Sequence, residues 1–139
     1  IEARSGAAVS WIFDVEGEAG FREREHQVLH DLTAMKGVVI ATGGGAVLRA
    51  ENRQLLSTRG TVVLLDSSDK RIHARTAKDT KRPLLSGANG AATIARLRAE
   101  RLPLYQSTAD FTVITDKQPA KSVAKQIIRN LKAANDHQR

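Results

Sequence analysis

The stretch Val38-Val-Ile-Ala-Thr-Gly-Gly-Gly-Ala46 decides the fold, because it joins an unbroken apolar, β-branched run to three consecutive glycines. A run without polar alternation is how a strand covered on both faces is written, and such strands belong to parallel sheets flanked by helices. Glycine in series is costly to order, so something at the end of that strand needs bare backbone. In open α/β sheets, ligands settle in the crevice beyond the carboxyl ends of the strands. Gly43, Gly44 and Gly45 therefore offer amide donors to a small polar ligand with no side chain in the way. The competing reading is a tight strand-to-helix turn, which one or two glycines would satisfy.

Upstream, Phe21, Glu25, Val28, Leu29, Leu32 and Met35 recur at helical spacing and Gly37 follows as a stop, which predicts a helix over 18–35. Downstream, residues 49–59 read as a short helix ended by Gly60, and 61–65 (TVVLL) as a second buried strand. Asp66-Ser-Ser-Asp69 then supplies helix-start chemistry for a helix through 76. Residues 78–90 have no period, contain Pro83, Gly87 and Gly90, and are rich in cations. Loops of that length in compact domains are functional or mobile. A helix over 91–102, a third strand over 111–115 (FTVIT) and a helix from Ala120 follow, the last with an amphipathic stripe of Val123, Ala124, Ile127, Ile128 and Leu131. The tail from Asn135 is expected to fray. Alternation of strand and helix describes an α/β layered domain with a parallel sheet.

With 139 residues, 41% hydrophobic and 27% charged, one compact domain is the expectation. No cysteine is present, which removes disulfides and thiolate chemistry and fits a reducing compartment; a cytoplasmic location is expected. No apolar run is long enough to span a bilayer and the N-terminus carries no signal pattern, so no membrane partner is expected. The net charge of +7 calls for an anionic partner. It is concentrated in Lys70, Arg71, Arg75, Lys78, Lys81 and Arg82 against the single acid Asp79. Only 4% of residues are aromatic and no stacking or recognition-helix motif occurs, which argues against nucleic acid and for a nucleotide or small acid.

Further constellations carry chemistry. Arg22 and Glu25 share a helix face beside the core-facing Phe21. Glu25 falls on the apolar stripe, where a carboxylate needs a partner; Arg22 can be that partner while its other donors reach a substrate anion. An ordinary surface ion pair is the plainer alternative. Lys81-Arg-Pro-Leu-Leu85 and Arg101-Leu-Pro-Leu-Tyr105 each set a basic residue ahead of a proline, which suits a cation at the edge of a hinge. The planar forks of Arg82 and Arg101 bind carboxylate or phosphate through two bonds. Tyr105 reads as a packing residue. His26 and His30 are four apart on a helix, but no HExxH pattern exists and no metal site is expected.

GFREREHQVLHDL (20–32), ATGGGAV (41–47), Arg75-Thr76 leading to KRPLL (81–85), and ERLPLY (100–105) together resemble the shikimate kinase family, in order and over nearly the whole chain. The resemblance implies a three-layer α/β fold of the nucleoside monophosphate kinase, P-loop type, with a parallel sheet ordered 2-3-1-4-5. It implies transfer of the ATP γ-phosphoryl group to the 3-hydroxyl of shikimate, with Mg2+ as the metal and a monomeric protein. It assigns Arg22 and Arg101 to the substrate carboxylate, Gly43, Gly44 and Gly45 to the substrate pocket, and Glu25 to orienting the substrate-binding arginine. Arg75, Arg82 and Gln118 fall to the nucleotide, and Arg82 is also the catalytic arginine of a mobile lid over 78–90. Residues 1–36 become the substrate-binding helices.

The sequence departs from the family pattern in one respect: it contains no GxxxxGK[ST] phosphate loop and no strand ending in Asp-x-Asp. The resemblance therefore implies that the family's first two strands, and with them the magnesium-binding residues, are absent from these 139 residues. The first strand would lie between 38–42 and 61–65, so two unpaired apolar edges are expected. The expectation is an N-terminally incomplete copy whose kinase activity alone is lost or impaired. Two alternatives stand beside it: a non-catalytic remnant or regulatory protein that kept the shikimate pocket, and a gluconate-type small-molecule kinase, against which ATGGGAV and GFRxRE argue.

Overall fold

The computed structural model describes residues 1–76 and 90–136. They divide into two compact units, Ile1–Thr61 and Val62–Arg139.

The first unit comprises α1 (Glu2–Ser5), α2 (Val9–Thr33), a 3-10 turn (Gly44–Leu48) and α3 (Ala50–Arg59). Gly6 ends α1 in the left-handed conformation, at φ 70°, a region glycine enters without the Cβ clash other residues suffer. The side chain of Glu2 then accepts the N–H of Val9 at 3.0 Å and so satisfies an orphan donor at the start of α2. The expected helix over 18–35 is the distal part of α2, which ends at Thr33. Gly17, at φ 73°, kinks α2 into two segments. Arg24 braces that kink with two bonds to Glu16, of 2.8 and 2.7 Å. Ile12, Phe21, Leu29, Ala46 and Val47 form the buried apolar core of this unit. The rings of Phe13 and Phe21 lie 4.6 Å apart within it.

Residues 38–42, expected as a buried strand, are not one. They are unassigned to any strand, and Val39 is fully exposed. The composition is that of a strand, but a strand exists only through a neighbour that takes its backbone hydrogen bonds. Among the described residues none pairs with this segment.

The second unit holds the sheet. Strands β1 (Val63–Asp66) and β2 (Phe111–Ile114) pair in parallel, Val63 opposite Phe111 and Asp66 opposite Ile114. Parallel neighbours need a long crossover, and α4 (Asp69–Thr76) and α5 (Gly90–Thr108) lie between them in sequence, with α6 (Ala120–Asp136) after β2. The register is pinned at both ends. Asp110 accepts the Val62 N–H at 2.6 Å on its side chain and donates its own N–H to Val62 O at 2.8 Å. At the other end Thr115 donates its N–H and its hydroxyl to Asp66 O, at 2.8 and 3.1 Å. Val113 is fully buried, with Ile94 of α5 and Val123 of α6 as the other buried apolar residues.

The hinge expected at Pro103 is absent, since α5 runs through it to Thr108. Proline deprives one carbonyl of its donor, but its fixed φ is helical. The turns beyond it are held by the Ala109 N–H to Tyr105 O bond, 2.9 Å, and by Thr108, whose hydroxyl donates to Leu104 O at 2.7 Å. α6 continues through Asp136, so Asn135 and Asp136 of the tail expected to fray are helical, and the rest of that tail lies outside the described residues. Among the described residues no helix is long and apolar enough to cross a membrane.

Candidate functional site

In the first unit, α2 presents Arg22 and Glu25 on one face. Arg22 Nη1 donates to Glu25 Oε1 at 3.0 Å, and Nη2 reaches Glu18 Oε1 at 3.5 Å. Glu25 is buried, with 9% of its side chain exposed against 22% for Arg22. A carboxylate so enclosed needs a held cation, and Arg22 is fixed in turn by the Phe21 ring, whose centroid lies 5.2 Å from Cζ. Arg22 Nε is buried and has no hydrogen-bond partner among the described residues, so part of the fork's donor capacity is unused.

The glycine run meets this pair. A Cβ placed on Gly45 would fall on the Arg22 guanidinium, 2.6 Å from Cζ and closer to both terminal nitrogens. On Gly43 it would meet only Glu25 Oε2, at an ordinary 3.7 Å. The described glycines with positive φ are Gly6, Gly17 and Gly37, none of them in this run. Bare backbone is thus required at Gly45 for close approach, and the first group to approach is the protein's own arginine. A cavity of about 440 Å³ adjoins the pair, lined among others by Glu25, Leu29, Ile40, Thr42 and Gly43.

The 3-10 turn is secured from α3, by residues the sequence pattern does not mark. Asn52 donates to Ala46 O at 3.0 Å, and Arg53 to Val47 O at 2.7 Å. Arg49 pairs with Glu23 of α2 at 2.7 Å. That bond holds the Glu23 carboxyl below the usual carboxylate range. His26 bonds Asn52, and His30 faces Asp31 at 3.4 Å.

In the second unit, Arg101 is half-buried on α5 and has no ion-pair partner among the described residues. One turn earlier, Arg98 grips the end of β1 through Asp66, Nη1 to Oδ1 at 2.6 Å and Nη2 to Oδ2 at 3.2 Å, and also donates to Ser67 O. Arg75 stands exposed in the last turn of α4. Gln118 donates to Ile114 O at 2.7 Å. Asp116 accepts from the Ser67 hydroxyl at 2.7 Å and from the Ser68 N–H. The Ser67 bond holds the Asp116 carboxyl below its ordinary value. Arg82, Lys81 and the expected lid up to residue 89 lie outside the described residues, while Gly90, expected as its last residue, is the buried first residue of α5.

Arg22, Glu25, Gly43 and Gly45 are therefore brought together in one unit, while Arg75, Arg101 and Gln118 belong to the other. Asn52, Arg98 and Asp116 escape sequence reasoning because each acts through a contact distant in the chain, and Arg53 because it bonds carbonyls of an irregular turn that no periodicity marks. Among the described residues no group of three or more His, Cys, Asp or Glu could hold a metal ion.

The fold is that of a P-loop kinase. A solved shikimate kinase from Acinetobacter baumannii, in complex with shikimate, superposes with a TM-score of 0.91 at 41% identity, covering 96% of this chain and 74% of that one. The enzyme from Aquifex aeolicus gives a TM-score of 0.82 at 35% identity, covering 96% of this chain and 77% of its own. A family model described as shikimate kinase matches residues 1–132. The shikimate kinase of Vibrio parahaemolyticus is 54% identical over 131 residues, 94% of this chain and 76% of that protein. The chain belongs to the shikimate kinase family.

Proposed function

We propose that this chain binds shikimate and serves an enzyme that transfers the γ-phosphoryl group of ATP to the shikimate 3-hydroxyl. The observation that carries this is the Arg22–Glu25 pair pressed against Gly45. A buried carboxylate holds a guanidinium at 3.0 Å over a wall of bare backbone, which suits a planar carboxylate with hydroxyls on its ring. Within the first unit, Arg22 binds the substrate carboxylate, Glu25 orients Arg22, and the amides of Gly43, Gly44 and Gly45 line the pocket. Their work is alignment, because phosphoryl transfer gains most from positioning and from neutralising charge on phosphate oxygens.

ATP supplies the transferred group, with Mg2+ as its metal. Arg75, exposed at the end of α4, offers its guanidinium plane to adenine, and Gln118 is the second nucleotide contact. Arg82 takes the catalytic role at the phosphates as part of a lid over 78–90. Among the described residues no group of three or more His, Cys, Asp or Glu offers to hold that metal. Since no GxxxxGK[ST] occurs in the 139 residues, turnover by them alone is weak or absent while shikimate binding persists. A shikimate-binding protein without kinase activity is the second reading, since the Arg22–Glu25–Gly45 arrangement needs no nucleotide to hold an acid.

Calorimetric titration separates the possibilities. Saturable shikimate binding, lost in Arg22→Ala and not shared by the methyl ester of shikimate, supports the carboxylate role. Absence of binding, or equal binding by the ester, overturns it. Phosphate transfer measured with ATP then decides between the enzyme and the binding protein.

A further inference from the structure

Asn52 is polar, yet it is among the largest fully buried side chains. Its Nδ2 donates to Ala46 O at 3.0 Å, and its Oδ1 lies 2.7 Å from His26 Nδ1. A carbonyl only accepts, so the amide nitrogen must face Ala46 and the amide oxygen His26; His26 therefore carries a proton on Nδ1. The Asn52 N–H also donates to Arg49 O at 3.1 Å in the first turn of α3. One side chain thus ties α3 to α2 and to the glycine turn. The link His26–Asn52–Ala46 runs beside the contact Glu25–Arg22–Gly45, displaced by one residue on each element. The two connections set the same gap, between α2 and the turn.

We propose that Asn52 is a positioning residue for substrate binding: it holds the backbone of residues 43–46 at the distance from α2 where the glycine amides and the Arg22 guanidinium address one ligand. This rests on the functional reading above. A leucine of similar size would fill the space, but it would leave Ala46 O unpaired and let the turn drift, whereas both polar ends of Asn52 are satisfied. Arg59 provides the control. It donates to His30 O at 3.2 Å from the far end of the same helix, so its loss weakens α3 without touching the glycine turn.

The test uses the full chain at a temperature where far-UV dichroism shows each variant folded. Asn52→Leu and Asn52→Asp both remove the donor to Ala46 O, and Asp keeps the acceptor for His26. Each is expected to weaken shikimate binding about tenfold, the cost of one well-placed hydrogen bond, and to speed amide exchange at Gly44, Gly45 and Ala46. Arg59→Ala is expected to lower the melting temperature and leave affinity and glycine exchange unchanged. If Asn52→Leu does not fold, Asn52→Asp decides. A folded Asn52 variant with unaltered affinity or exchange, or an Arg59→Ala chain that loses affinity equally, overturns the positioning role alone. No saturable binding by the unmutated chain overturns the functional reading and this inference with it.

Discussion

Replacing Gly45 by alanine separates the site's geometry from simple turn formation. The added methyl would stand 2.6 Å from Arg22 Cζ. Carbon atoms settle at about 3.5–4.0 Å, so the guanidinium must withdraw by roughly 1 Å. The clash itself is cheap, since it meets the far end of a flexible side chain. Its consequence is not: the Nη1–Oε1 bond of 3.0 Å opens beyond hydrogen-bond range and Glu25 is left buried without its cation. Hydrogen bonds to charged groups contribute about 1.5–3 kcal/mol net, and Arg22 is shielded enough for that scale to apply. A stability loss near 2 kcal/mol is expected, seen as a melting temperature lower by several degrees, with shikimate affinity reduced at least tenfold. Gly43→Ala is the matched control. Its backbone, at φ −68° and ψ 156°, accepts alanine, and its methyl makes only an ordinary contact, so stability should hold or rise slightly. Thermal melts and calorimetry on both variants check this. Equal behaviour of Gly45→Ala and Gly43→Ala, or a Gly45→Ala chain that melts and binds like the unmutated one, would refute the reasoning.

Arg98→Ala strips Asp66 of both arms of its fork and should cost about 1.5–3 kcal/mol in chemical unfolding; Arg98→Lys should restore little, because an ammonium cannot reproduce the two parallel bonds. Asp116, whose carboxyl sits below its ordinary value in the folded state, contributes stability above that ordinary value which is lost as pH falls through the lowered one. Asp116→Asn should therefore flatten the acid limb of the melting profile below about pH 4, and an unchanged acid limb would contradict the stabilising role of its bonds to Ser67 and Ser68. Lys117 holds φ 58°, a region glycine enters more easily. Lys117→Gly should leave stability level or raise it by up to about 0.5 kcal/mol, and a clear loss by thermal melt would show that the lysine side chain does more than turn the chain.

Much of the site was legible because it is local. Arg22 and Glu25 meet through helical spacing, a relation that any helix imposes, and the buried position of Glu25 follows from its place on the apolar stripe. Two of the three expected strands appear within a residue or two of their predicted bounds, and they pair in parallel as the absence of polar alternation implied. The strand expected at 38–42 failed for a non-local reason: its residue types suit a sheet, but pairing depends on a neighbour. Pro103 misled in the opposite sense, since a helix-breaking residue was overridden by the turns on either side of it.

The sequence by itself determined the class of fold, the helix face shared by Arg22 and Glu25, and the need for bare backbone at the glycines. These rest on periodicity and on what glycine lacks, both properties of a short stretch. Only the tertiary structure decided which glycine is indispensable and why. Gly45 is bare because Arg22, from another element, occupies the place its side chain would take. It also decided that Asn52, unremarkable in a polar segment, is buried between two helices and a turn. Such contacts depend on where distant segments come to lie, and no local pattern of residue types records that.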